Sequence, residues 1–202
     1  MRIISESEFN AEKIVQELKQ GSGLVYPTET SYGLGCDATN QTAVDKIFTI
    51  KERDIHKTML VVVADLEDIK PYIIWDERLT AINKKYWPGP LTVVVPAQTN
   101  TALADKIVSA DGYLAFRITS NPVARALAHA LQVPLVSTSA NLAGEPALFS
   151  GVNIITTFSN RTSKPDLVIS VGDLPVVPAS TIIKLQPTGF EVLRAGAIIP
   201  QL

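Results

Sequence analysis

Sulfur and imidazole are scarce in this chain. Its 202 residues include one cysteine and two histidines. A single thiol, Cys36, excludes an internal disulfide and any cysteine-rich metal centre, and it reads as a small buried hydrophobe. His56 and His129 lack the Cys or carboxylate spacing that a metal site needs, and His129, between two alanines, reads as a surface residue. No Ser-His-Asp or Cys-His arrangement suggests itself. Aromatic residues make up 6% and form no stripe on which bases could stack. No apolar run approaches the ~20 residues of a membrane span. The N-terminus, MRIISESEFNAEK, has no apolar signal-peptide core, which points to a soluble cytoplasmic protein. Charges nearly cancel at net −2, so the totals do not advertise a nucleic-acid binder. There is no Walker loop, no GxGxxG, no repeat, no low-complexity tract and no linker.

What is present is apolar and regularly patterned. A hydrophobic fraction of 46% is enough for a real core in one sizeable domain, residues 1–202. Ala11, Ile14, Val15 and Leu18 fall at i, i+3, i+4 and i+7 between Asn10 and Gly21, which predicts an amphipathic helix. The stretch NQTAVDKIFTIKER, behind Asn40, predicts a second, DERLTAINKKYW a third, and VARALAHALQ, opened by Asn121-Pro122, a fourth. The strand candidates are GLVYPT, MLVVVA, LTVVVPA, GYLAFRI, PLVSTSA, DLVISV, STIIKL and FEVLRA. Several are apolar on both faces, so helices should cover the sheet. The expectation is a single α/β domain with a twisted mixed parallel/antiparallel sheet flanked by helices. The polar segment 143–165 reads as the loosest part and as a candidate mobile lid.

Three polar clusters interrupt this apolar pattern. In "STSAN", extended backbone would set Ser137, Ser139 and Asn141 on one face, with Thr138 and Ala140 on the other. Such a row suits either a polar ligand at a strand end or a loop binding its own backbone. The stretch YPTETSYGLGCDA carries a strand into Thr28-Glu29-Thr30-Ser31, then Gly33 and Gly35. It suits a backbone that approaches a ligand closely or an ordinary strand–helix connection. In IKERDIHKTM, Lys51 and Arg53 converge on one anion if the helix ends near Lys51, and Lys57 adds a third cation. Solvated surface charge is the other reading, and Glu52 and Asp54 partly neutralise the run.

Together, "PTETSYGLG", "KER", "WPGPLTVVVPA", "STSAN" and the late "STIIKL…VLRAG" resemble, in this order, the YrdC/Sua5 family of threonylcarbamoyl-AMP synthases. The family's Lys-x-Arg and Ser-x-Asn pairs fall on Lys51, Arg53, Ser139 and Asn141. The resemblance, from about residue 8 to residue 200, implies a YrdC/RibB-like fold with a large concave cavity. It implies that L-threonine, bicarbonate and ATP become L-threonylcarbamoyladenylate and pyrophosphate, for the N6-threonylcarbamoyl modification of tRNA adenosine. By the same resemblance Thr30, Arg117, Ser137 and Ser180 would hold threonine and the carbamate. Arg53, Lys57, Ser139 and Arg194 would hold ATP with its Mg²⁺, and Lys51 and Asn141 would complete the catalytic cluster. No resident metal site is implied, and the expected partners are tRNA and the proteins of the transfer step.

The chain departs from the family pattern in two places. Asp54 stands where many relatives have proline after the arginine, and Val62 stands where many carry a threonine-contacting histidine. The chain reads as the short form, without the appended domain of longer relatives. Two other functions compete: a non-catalytic RNA-binding module, and a divergent paralogue with a different activity.

Overall fold

The computed structural model describes residues 1–201. The chain opens with β1 (Arg2–Ser5), α1 (Ala11–Lys19) and a hairpin of β2 (Leu24–Pro27) and β3 (Tyr32–Gly35). Next come α2 (Gln41–Lys51), β4 (Val61–Val63), α3 (Arg78–Tyr86), β5 (Leu91–Pro96), β6 (Tyr113–Ile118) and α4 (Pro122–Leu131). It closes with β7 (Leu135–Val136), β8 (Thr138–Ser139), α5 (Gly151–Ser159), β9 (Leu167–Ser170), β10 (Thr181–Leu185) and β11 (Phe190–Arg194). The caps are the expected ones. Asn10, Asn40 and Asn121 each accept backbone N–H groups at the start of α1, α2 and α4, satisfying donors that a helix leaves unpaired.

The α/β class, mixed strand directions and flanking helices are as expected, and the strands divide into two sheets. One runs β1-β9-β2-β3-β8 and the other β11-β10-β5-β6-β4-β7. β7 and β8 belong to different sheets although only Ser137 separates them. The "STSAN" segment is therefore the seam where the chain crosses from sheet to sheet. At that seam Gly35 in β3 lies so close to β7 that a Cβ there would sit 1.8 Å from the Val136 carbonyl oxygen. The glycine serves this backbone approach and not a ligand.

The period-2 alternation of the strands sorts their side chains into two layers. Val61, Val63, Val93, Val95, Leu114 and Phe116 join Ile47 and Phe48 of α2 and Leu79 and Ile82 of α3 in the larger core. On the opposite face Val62 packs with Leu24, Tyr26 and the apolar stripes of α1 and α4. The rest of that face, including Val94, Ala115 and Ile182, is not covered by helix and borders a cavity.

Two elements lack a sequence precedent. β1 and β3 are short, and two of the four residues of β3 are glycine, Gly33 and Gly35, so neither gives an apolar run. The 143–165 segment is also more ordered than expected. α5 occupies residues 151–159 and buries Ile154 and Phe158 in the larger core. Only the stretch before it, with Glu145, Ala147 and Phe149, lines the cavity as loop. Among the described residues no helix is long and apolar enough to cross a membrane.

Candidate active site

The cavity has a volume of about 510 Å³. Its floor is the uncovered face of the six-stranded sheet, and its walls are the β2–β3 turn, the β7–β8 seam and the chain leading into β10. It therefore draws on strand beginnings as well as strand ends, as antiparallel neighbours require.

The β2–β3 turn is self-contained. Thr28 N–H donates to the Ser31 carbonyl, and Thr28 Oγ1 accepts from the N–H groups of Thr30 and Ser31 at 3.1 and 3.2 Å. Thr28 Oγ1 also donates to the Ser31 carbonyl at 2.6 Å. This ties the turn's backbone to one hydroxyl and leaves Thr30 and Ser31 along the cavity wall.

Arg117 rises from the floor inside β6 and is 3% exposed. Its Nε lies 3.1 Å from Glu29 Oε1. The pair lacks hydrogen-bond alignment, because both atoms are buried without a partner. Glu29 is held from the other side by the Thr119 hydroxyl, which donates to Oε2 at 2.7 Å. Arg117 thus carries a buried charge with one ionic neighbour and no hydrogen bond to protein among the described residues. A buried cation so placed calls for an anion.

Ser180 and Arg194 form the far wall. Arg194 donates from Nη2 to Ser180 Oγ at 2.9 Å and to the Ser180 carbonyl at 2.8 Å. Ser180 Oγ also pairs with Thr92 Oγ1 at 3.0 Å. Burial, and after it the charge of Arg117, holds the Arg194 guanidinium below its ordinary value. Arg53 completes the set from the turn after α2. Its Nη2 donates to the Thr58 carbonyl at 2.8 Å, while its buried Nε has no partner. Burial also lowers the Arg53 pKa, with Asp54 acting weakly in the other direction.

The helix does end at Lys51, yet Lys51 and Arg53 do not converge. Glu52 turns the chain through a left-handed conformation, φ 52°. This sends Arg53 to the cavity and Lys51 inward, where it is 2% exposed. Lys51 Nζ donates to the carbonyls of Ser139 and Asn141 at 2.5 and 2.8 Å and to Asn141 Oδ1 at 3.1 Å. Burial, then the charge of Arg53, pushes the Lys51 ammonium down to about 8. Ser139 Oγ donates to Asn141 Oδ1 at 2.5 Å, because that oxygen must face the lysine.

The cavity brings together Thr30, Arg53, Arg117, Ser137, Ser139, Asn141, Ser180 and Arg194 of the residues singled out in the sequence. Lys51 lies behind the wall, and Lys57 is exposed and outside the lining. Thr138 lines the cavity beside Ser137 and Ser139, so the expected two-residue alternation does not hold. The chain changes sheets at Ser137, and no single pleat runs through the segment. Val62 is paired with Arg117 in register but buried in the smaller core, outside the lining.

The Glu29–Thr119 support of Arg117 escaped sequence reading. Its available signal was a charged residue within the otherwise apolar YLAFRI, which implies a buried partner. Cys36 is fully buried, and burial pushes its thiol up, away from nucleophilic character. His129 is exposed. Among the described residues no three His, Cys, Asp or Glu side chains could hold a metal ion. Glu145 is the one carboxylate in the lining. Such a cavity, rich in guanidinium and hydroxyl groups, is built to take anions.

Residues 16–196 match the family model Sua5_yciO_yrdC, described as Telomere recombination. The chain is 36% identical over 184 residues to a threonylcarbamoyl-AMP synthase of Psychromonas ingrahamii, covering 89% of this chain and 91% of that one. It is 33% identical over 192 residues to the threonylcarbamoyl-AMP synthase of Aliivibrio fischeri, covering 93% and 99%. Among solved structures, P. abyssi Sua5 complexed with L-threonine superposes with a TM-score of 0.86 at 26% identity. That match spans 96% of this chain and 57% of that one.

Proposed function

The chain belongs to the Sua5/YciO/YrdC family, and from that premise we propose that it is a threonylcarbamoyl-AMP synthase. It joins L-threonine, bicarbonate and ATP into L-threonylcarbamoyladenylate and releases pyrophosphate and water. The observation that carries this reading is the cavity's charge: Arg53, Arg117 and Arg194 line it with one carboxylate, Glu145.

The chemistry needs no strong base. Bicarbonate loses water to give carbon dioxide, and threonine's neutral amine captures it as a carbamate with loss of a proton to solvent. A carbamate oxygen then attacks the α-phosphorus of ATP as pyrophosphate leaves. The nucleophile is already an anion, so the protein's task is to hold two anionic reactants in line and neutralise the charge that develops. Arg117 with Thr30, Ser137 and Ser180 takes threonine and its carbamate. The buried guanidinium pairs with a carboxylate, and the hydroxyls orient the rest. The L-threonine named with P. abyssi Sua5 supports this half of the reading. Arg53, Arg194 and Ser139 take the nucleotide. The two arginines supply fixed positive charge where the triphosphate gathers negative charge.

Mg²⁺ belongs to the substrate in this reading. With no cluster of three ligating side chains among the described residues, the ion travels on the phosphates of ATP. Residues 1–202 act as one unit in the cytoplasm. The product passes to the proteins that transfer the threonylcarbamoyl group to tRNA.

The test is pyrophosphate release from purified protein with MgATP, omitting L-threonine and bicarbonate in turn. Release that requires both is the expected result. Release that ignores either, or none from folded protein, overturns the proposal.

A further inference from the structure

Counting hydrogens separates the Lys-x-Arg and Ser-x-Asn residues into two kinds. An ammonium has three hydrogens, and Lys51 has three acceptors: Ser139 O, Asn141 O and Asn141 Oδ1. Asn141 is equally committed. Its Oδ1 accepts from Lys51 and Ser139, and its Nδ2 donates to the carbonyls of Leu142 and Glu145 at 3.0 and 2.5 Å. The Ala143 N–H closes the circuit on the Lys51 carbonyl at 2.8 Å. Arg53, by contrast, makes one hydrogen bond to protein and leaves Nε without a partner.

The need for this arrangement lies in the seam. β8 has only two residues and pairs only with β3, and after the Ala140 N–H, which donates to the Tyr32 carbonyl at 2.9 Å, the backbone has no ladder to fix it. Lys51 takes up the Asn141 carbonyl, which would otherwise be left unpaired in the interior, and shares the Ser139 carbonyl with the Asn141 N–H at 2.9 Å. Asn141 then clamps the loop as far as Glu145.

We propose that Lys51 and Asn141 form an internal latch that positions Ser139 and the 142–145 loop, and that neither side chain binds the triphosphate. Lys51 is a positioning residue. Of the four motif residues, Arg53 and Ser139 face the nucleotide. This inference rests on the nucleotide-binding reading only for what the latch serves; the latch itself exists in the free protein.

The experiment measures dissociation constants of AMP, ADP and ATP for the full chain and for Lys51→Met and Arg53→Ala. A latch acts on the site's shape, so Lys51→Met should weaken all three by one common factor. A phosphate ligand acts through charge, so Arg53→Ala should lose roughly tenfold or more additional affinity between AMP and ATP. A Lys51→Met loss that grows with each phosphate overturns the proposal. A second measurement needs no variant and no nucleotide: the ¹⁵Nζ resonance of Lys51 in the free protein at neutral pH. A locked ammonium exchanges slowly and gives a resolved signal, which ATP leaves in place. A signal that is absent, or that appears only with ATP, overturns the latch even if Lys51→Met fails to fold. If the wild type binds none of the nucleotides, the synthase reading falls, and this resonance still decides the latch.

Discussion

Arg117 and Arg53 reach the same cavity from different kinds of support. Arg117 stands in the middle of a strand, almost wholly buried, beside a carboxylate that is itself pinned by a threonine. Arg53 hangs from a turn, is held by one backbone carbonyl and has no acidic partner in its grasp. The first charge is part of the frame, and folding must accommodate it whether or not a ligand is present. The second is held lightly, and its free donors await an anion. A site for two anionic reactants thus divides into a fixed end and an adjustable end.

The sharpest way to break this comparison is through stability. Arg117→Met strands Glu29 in the interior, and removing one partner of a buried pair costs about 3 kcal/mol or more. Arg53→Ala forfeits one modest hydrogen bond and should cost about 1 kcal/mol or less. Urea denaturation of the two variants measures both. Equal losses would mean that the burial contrast does not matter.

Activity should reverse the ranking of folding cost. Arg53→Ala is expected to lower turnover roughly 10²-fold or more, the scale for removing a donor to developing charge. Steady-state rates at saturating substrates test this, and near-normal turnover would remove Arg53 from the reaction.

A smaller effect should appear with pH. The folded Lys51 ammonium titrates near about 8, below the ordinary lysine value, so its charged form is complete below that pH and lost as pH rises through it. AMP affinity of the wild type should therefore decline across this range, and that of Lys51→Met should stay flat. The effect on folding has the opposite sign. Between about 8 and the ordinary lysine value the unfolded chain holds the proton that the folded chain has released, so this group favours folding more as pH rises. Matching pH profiles for the two proteins would mean that the titration of Lys51 does not reach the site. The smallest effect belongs to Lys57, exposed and outside the lining. Lys57→Ala should change the KM for ATP by about twofold or less, the scale of isolated surface substitutions. A larger change would bring the turn at 54–57 into the nucleotide end.

Much of the frame could be read in advance because its signals are local. The α1 stripe, the asparagine caps and the apolar runs of LTVVVPA and GYLAFRI need only neighbouring residues, and they correspond to elements of the fold. The division into two sheets was not legible, because it depends on which strands pair across long separations. The same reason hid the seam, where two adjacent two-residue strands looked like one longer strand. At the site, the residue types were visible but their directions were not. Lys51 and Arg53 read as a pair because they are two apart. The left-handed Glu52 between them, which nothing in its side chain announces, sends them to different places. Arg117 stood out only through resemblance, since its partner Glu29 lies far away in sequence.

Gly35 limits how far this chain can change. A methyl group at that position would collide with the Val136 carbonyl, and both collision partners are backbone on crossing strands. No rotamer and no compensating side-chain substitution can make room. In a library of every single replacement, nearly all of the cavity's hydroxyl positions can be sampled in a folded chain, whereas position 35 should return glycine alone. The narrowest constraint on inheritance here is thus set by an atom that is missing, at a residue that touches no reactant.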